Sequence, residues 1–115
     1  MTKKATHEQT RIHNTQLVFS TVYERGEISR AEIARITRLT RPTVSDVVAD
    51  LMVQGLLEEI GRAPSTGGKR AILLRVNADS RCLIGIDLAR EDFRGALINL
   101  NGEIKHRVSL PLQGR

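Results

Sequence analysis

Apolar positions recur at helical spacing through the first half of the chain and then switch to strand-like runs. From about His7 to Arg25, Ile12, Leu17, Val18, Val22 and Tyr23 fall near one face, which predicts a helix ended by Gly26. In "ISRAEIARIT", Ser29 reads as a helix N-cap and Glu32, three residues on, completes a capping box. Ile28 and Ile33 flank that cap as a hydrophobic staple, so a second helix is expected over about Arg30 to Thr37. Only "RLT" separates it from "RPTVSDVV". Thr40 is the next N-cap. Pro42 falls in the first helical turn, where its missing N–H is harmless, so the proline starts a third helix. Val44, Val48, Leu51 and Met52 continue at helical spacing, and Gly55 closes the element.

"LLEEIG" and "RAILLRV" are two short strand-like runs around "RAPSTGGKR", a Gly/Ser/Pro-rich tip with three basic residues. They predict a hairpin with a long cationic loop. "NADS", Asn77–Ser80, reads as a linker. Beyond it come "CLIGIDLA", "FRGALINL" and "EIKHRVSLPL", three strands with Asn101-Gly102 as a two-residue hairpin signal between the last two. The last strand leaves an edge expected either to stay disordered or to pair with another copy.

Two short helices separated by a tight turn, with a third before them and a hairpin after, define a winged helix–turn–helix. The fold class is therefore α+β, with a boundary between residues 1–77 and 78–115. The apolar faces of the helices meet in a small core, and the opposite face of the third helix is left for the major groove of DNA. On that face the pattern places Arg41, Pro42, Thr43, Ser45, Asp46 and Asp50.

Charge supports an anionic partner. The net charge is +5, with 12 Lys/Arg against 8 Asp/Glu in residues 1–77 and 6 against 5 in residues 78–115. Cys82 is the sole cysteine, so no internal disulfide forms, which fits a reducing compartment; its apolar surroundings predict a packed, inert thiol. No apolar run approaches the ~18 residues of a membrane helix, and "MTKKATHEQT" has no signal-peptide core, so a soluble cytoplasmic protein without membrane contact is expected. His7, His13 and His106 lack partners at ligand spacing, so neither a metal site nor another cofactor is expected.

The residue types suggest a division of labour. A guanidinium matches the two acceptors of guanine, so Arg41 is the candidate base reader; Pro42 offers apolar contact to a thymine methyl, and Asp46 could accept from cytosine N4. Ser29, Arg30, Thr40, Thr43 and Ser45 are candidates for phosphate contacts. In the wing, Arg62, Lys69 and Arg70 supply charge while Gly67 and Gly68 allow close backbone approach. Arg11 and Asn14 of the first helix rank lower. "STGGKR" is not a phosphate loop: Ala63 stands where a glycine is required and Arg70 where Ser or Thr is required.

The stretches "SRAEIARITRLTRPTVSDVVADLMVQGLLEE", "STGGKRAILLRVN" and "LIGIDLAREDFRGALINLNGEI" resemble the repressor branch of the ROK family, represented by xylose and N-acetylglucosamine regulators. The resemblance runs from about Arg11 onward. It implies a DNA-binding winged helix followed by the first strands of an actin-like domain, here a partial antiparallel β-meander. It also implies a repressor of carbohydrate-metabolism genes whose sugar or sugar-phosphate effector binds only through a C-terminal region absent from these 115 residues. The chain would then be a truncated piece or a shortened product. Homo-oligomerisation is expected of the full-length form. Kinase members carry Gly-Gly-Thr after the aspartate of the first strand, whereas Asp87 here precedes Leu88, Ala89 and Arg90, which would crowd a phosphate. The helix–turn–helix turn usually holds Gly, and here it holds Arg38. A non-enzymatic, sequence-specific DNA-binding regulator is the leading expectation. A winged helix used for protein contact and a remnant sugar kinase compete with it.

Overall fold

A computed structural model describes residues 6–62 and 71–112. The chain forms two compact units, one ending at Val76 and the other beginning at Asn77.

In the first unit α1 spans His7–Arg25, α2 Arg30–Thr37 and α3 Arg41–Val53. Strands β1 (Ile28–Ser29), β2 (Leu57–Arg62) and β3 (Ile72–Val76) form an antiparallel sheet in the order β1-β3-β2. The helices form where local chemistry directs them. Thr6 caps α1: its hydroxyl accepts from Gln9 N–H at 3.0 Å while the Gln9 side chain accepts from Thr6 N–H at 2.9 Å. Gly26, at φ 82°, ends that helix. Ser29 Oγ accepts the Glu32 N–H at 3.2 Å. The return half of the expected capping box is replaced, because the Glu32 carboxylate turns to the Arg35 side chain, whose Nε donates to it at 2.8 Å. That hydrogen bond holds the Glu32 carboxyl below the usual carboxylate range, helped by the charges of Arg35 and Arg25.

One apolar core joins these elements. Val18 and Val22 of α1, Ile33 of α2, Val44, Val48 and Leu51 of α3, and Ile28, Leu57 and Leu74 of the sheet are buried together. Ile28 and Ile33, the predicted staple, are both in this core. Ile12 and Tyr23, assigned by periodicity to the buried face of α1, are instead 52% and 48% exposed. The buried stripe of α1 is made by Val18, Thr21 and Val22.

Sequence pattern missed β1. Two residues are too few to show a period, and their pairing with β3, Ile28 opposite Leu74 and Ser29 opposite Leu73, is made across more than forty positions. The β2–β3 pair carries a bulge between Glu59 and Gly61, where Gly61 takes φ 116°.

In the second unit a 3-10 turn (Ala78–Ser80) leads into a meander of β4 (Cys82–Leu88), β5 (Asp92–Asn99) and β6 (Ile104–Pro111), in that order. The β5–β6 turn is longer than the expected two-residue hairpin. Gly102 N–H donates to Asn99 O and Asn99 N–H to Glu103 O, each at 3.0 Å, with Gly102 at φ 80°. A three-residue loop with glycine in the left-handed position results. The buried Asn99 side chain organises it: Nδ2 donates to Asp79 and Glu103, and Oδ1 accepts from the N–H groups of Asn101 and Glu103. The Asn99 hydrogen bond, with a smaller contribution from Lys105, lowers the Asp79 pKa. A carboxylate whose folded pKa is depressed adds stability above its unfolded pKa and loses it as pH falls through the folded value. The meander should therefore weaken as pH drops below the ordinary carboxylate range. Asp79→Asn should flatten that acid limb, as read by acid titration of the Asn99 side-chain NMR signals.

Strand β6 is formed, not disordered, and bonds to β5 along Asp92–Ile98. Cys82, expected to be packed, is exposed. It begins an edge strand of a sheet that the unit's short 3-10 turn does not cover; Ile84, Ile86 and Leu88 of the same strand are 72%, 62% and 68% exposed.

Candidate nucleic-acid interface

The turn between α2 and α3 fixes their geometry. Arg38 caps α2 in the left-handed region, φ 63° and ψ 16°, and its N–H donates to Ala34 O at 2.8 Å. It is the sole non-glycine residue with positive φ among the described residues. A left-handed L-residue costs about 1–2 kcal/mol, and glycine gives back part of that gain through unfolded-chain entropy. Arg38→Gly should therefore raise stability by about 0.5–1 kcal/mol, measured as an upward shift of the urea midpoint.

Thr40 caps α3. Its Oγ1 accepts the Thr43 N–H at 3.3 Å, and its hydroxyl donates to Thr43 Oγ1 at 2.9 Å. Pro42 sits in the first turn, as its missing N–H allows.

The helix then divides into two faces. Val44, Val47, Val48 and Leu51 are buried, while Arg41, Pro42, Ser45 and Asp46 are exposed and Thr43 is half-buried. Ala49 is exposed as well, one turn beyond Ser45. The sequence reading overlooked it, although i to i+4 spacing places it in line. Asp50 leaves the outward group: it is half-buried and forms an ion pair with Arg11 of α1. The same pair accounts for Arg11, which engages α3.

Around this helix, residues from three elements meet in one cleft of about 250 Å³. Ser29 and Arg30 come from the cap and start of α2, Arg41 from the start of α3, and Arg62 and Ile72 from the loop end of the β2–β3 hairpin. Four candidate residues drawn from the base-reading, phosphate and wing groups thus line one cleft. Arg30 is half-buried, with its guanidinium 3.8 Å from the Glu59 carboxylate and 3.6 Å from Met52 Sδ. Of the expected wing residues, Arg62 ends β2 and is exposed; Gly67, Gly68, Lys69 and Arg70 lie outside the described residues.

The second unit offers less chemistry. Asp87 stands opposite Arg94 in the β4–β5 register and lines an open cavity of about 670 Å³ on the sheet face, with Arg107 and Ser109. Among the described residues, no group of three His, Cys, Asp or Glu side chains is placed to hold a metal ion. No helix among them is long and apolar enough to cross a membrane.

Three helices, a tight turn and a hairpin with the outer face of α3 left open define a winged helix–turn–helix. Comparison with known proteins agrees. A model described as the MarR family matches residues 17–71. The xylose repressor of Caldicellulosiruptor bescii is 37% identical over 91 residues, 79% of this chain and 23% of that protein. The xylose repressor of Bacillus subtilis is 34% identical over 91 residues, 79% of this chain and 24% of that protein. The DNA-binding transcriptional dual regulator NagC of Escherichia coli is 30% identical over 102 residues, 89% of this chain and 25% of that protein. A crystal structure of a ROK family transcriptional regulator, a homologue of the E. coli MLC protein, has the same fold: TM-score 0.68 at 19% identity, over 90% of this chain and 27% of that one. Residues 17–71 thus match a MarR family model, the chain is similar in sequence to the xylose and N-acetylglucosamine repressors, and it shares its fold with a ROK family regulator. It spans about a quarter of the length of the curated relatives it matches.

Proposed function

We propose that this chain is the sequence-specific DNA-binding part of a transcriptional repressor of carbohydrate-metabolism genes. The observation that carries this reading is the outward face of α3. Arg41, Pro42, Ser45, Asp46 and Ala49 are exposed together on a helix whose other side is anchored in the core. Such a helix fits the major groove, where base edges are distinguishable.

Arg41 would read guanine through its two acceptors, Pro42 would touch a thymine methyl, and Asp46 would accept from cytosine N4. Asp46 also repels phosphate, so it contributes selectivity and not affinity. Ser29, Arg30, Thr40, Thr43 and Ser45 would hold backbone phosphates and set register. Arg62 with Gly67, Gly68, Lys69 and Arg70 would follow the backbone or enter the minor groove. The chain acts by binding, not as an enzyme: Leu88-Ala89-Arg90 occupies the place where a phosphate-holding turn would need glycines. Residues 1–77 would form the DNA-binding domain and 78–115 the first strands of an effector domain. A sugar or sugar phosphate would act through sequence beyond these 115 residues, where self-association would also reside.

Selection of sites from random duplex DNA at near-physiological salt tests the reading. Enrichment of a defined sequence is expected, as an inverted repeat with half-sites whole helical turns apart if two copies bind. Absence of duplex binding at any salt would overturn it and favour a protein-contact role for the same face.

A further inference from the structure

The Asn101-Gly102 pair served above only as a turn signal, yet it also brings chemistry to the meander. A main-chain nitrogen that follows asparagine can attack the asparagine side-chain amide, and a Cβ on the attacking residue obstructs the approach. The asparagines of the chain precede Thr15, Ala78, Leu100 and Gly102, so only Asn101 is followed by a residue without a Cβ. Asn101 and Gly102 are both exposed. Gly102 takes φ 80°, and nothing beyond its chain neighbours lies within 4 Å of the place a Cβ would take. The same turn restrains the reaction. The attacking group is the Gly102 nitrogen once its proton has left, and that N–H donates to Asn99 O at 3.0 Å. The Asn101 N–H donates to Asn99 Oδ1, also at 3.0 Å. Asn99 is anchored in turn: it is buried, and its Nδ2 donates to Asp79 at 2.8 Å and to Glu103 at 2.9 Å. Local opening of this turn is therefore needed to free the Gly102 nitrogen.

We propose that Asn101 is a self-modifying site, which loses its side-chain amide through a cyclic imide at a rate set by the hydrogen bonds of Asn99. The Gly102 nitrogen attacks Asn101 Cγ. The N–Cγ bond forms as the Cγ–Nδ2 bond breaks, and ammonia leaves with the proton given up by Gly102. Water then opens the ring at either carbonyl, which leaves aspartate or isoaspartate. Water is the sole co-reactant, and nothing is oxidised or reduced. Either product puts a carboxylate into a turn that already holds Glu103 and is bonded to Asp79, so like charges loosen it. Isoaspartate also adds a carbon to the main chain of the loop, which moves the Asn101 N–H away from Asn99 Oδ1. The change is confined to the second unit and does not rest on the DNA-binding reading.

Incubation of the folded chain at mildly alkaline pH, followed by peptide mapping with mass spectrometry, tests this. Asn101 should convert to aspartate and isoaspartate while Asn14, Asn77 and Asn99 stay intact, and N101Q should show no conversion. The folded chain should react more slowly than the same chain in urea. Asp79→Ala removes one anchor of Asn99 and should raise the folded-state rate about three- to tenfold, the range for losing one hydrogen bond. A folded chain that keeps Asn101 intact while the unfolded chain converts would overturn the site. A wild-type rate equal to that of the unfolded chain, or a D79A rate equal to that of the wild type, would overturn control by Asn99. Should D79A fail to fold, the wild-type chain alone gives the answer through hydrogen exchange. Protection of the Gly102 amide should then match the slowing of conversion relative to the unfolded chain, because one opening event governs both. Conversion as fast as in urea beneath a protected Gly102 amide would overturn the proposal.

Discussion

Leu74→Ala should cost the winged-helix unit about 2–5 kcal/mol, the range for truncating a buried leucine. Leu74 is fully buried and lies on β3, the central strand, with Ile28 opposite on one side and Glu59 on the other. It belongs to the core that joins all three helices to the sheet. Removing its branched end leaves a void at the place where the elements converge. Total stability for a unit of this size is roughly 4–11 kcal/mol at about 0.05–0.15 kcal/mol per residue. The variant should therefore be near or past the edge of folding at 37 °C. Urea unfolding followed by far-UV circular dichroism measures the change. Leu74→Met, which conserves volume, should cost under about 1.5 kcal/mol. Equal losses for the two variants would mean that shape, and not burial, governs this position.

The parts of this fold that were legible in the sequence are those fixed by near neighbours. Ser29 and Thr40 announced helix starts because a short hydroxyl before an apolar run can accept from an N–H three residues on. Arg38 stood out only through the family resemblance, in which that turn holds glycine, and the left-handed backbone there is the conformation glycine favours. What escaped depends on partners distant in sequence or on competition between near ones. β1 exists only through its pairing with β3. Asp50 was grouped with the outward residues because its position fits that face, but Arg11 on another helix claims it. Glu32 was expected to close a capping box, yet Arg35 one turn away offers the carboxylate a charged donor. The exposure of Cys82 follows from which strands are neighbours, a property that its apolar run does not report. The candidate site divides along the same line. The outward face of α3 follows from helical period alone. The gathering of Arg30, Arg41 and Arg62 around one cleft does not, since nothing local in the chain links the end of β2 to the start of α2.

Arg41→Ala should relax selectivity at one base position by about 1–3 kcal/mol, roughly 5- to 150-fold, while leaving the fold intact. The side chain is exposed at the first position of α3, and the caps and core that form the helix do not use it. Stability should therefore change by less than about 0.5 kcal/mol. The readout is competition binding against duplexes altered one position at a time. A base-reading arginine produces a loss confined to one position, with the wild-type preference for guanine there erased. Arg41→Lys should recover attraction but little of the preference, because an ammonium lacks the fork that spans both guanine acceptors. Asp46→Asn provides the contrast: removing a negative charge from the same face should strengthen binding to all duplexes and blur discrimination at a different position. Arg41 also lines the cleft, so a second outcome is informative. If Arg41→Ala weakens every duplex equally and lowers the salt slope by about 0.9, its guanidinium is spent on the backbone. Specificity would then fall to Pro42, Asp46 and Ala49, three side chains without a bidentate donor among them, and the operator would be read mainly through apolar contact and exclusion.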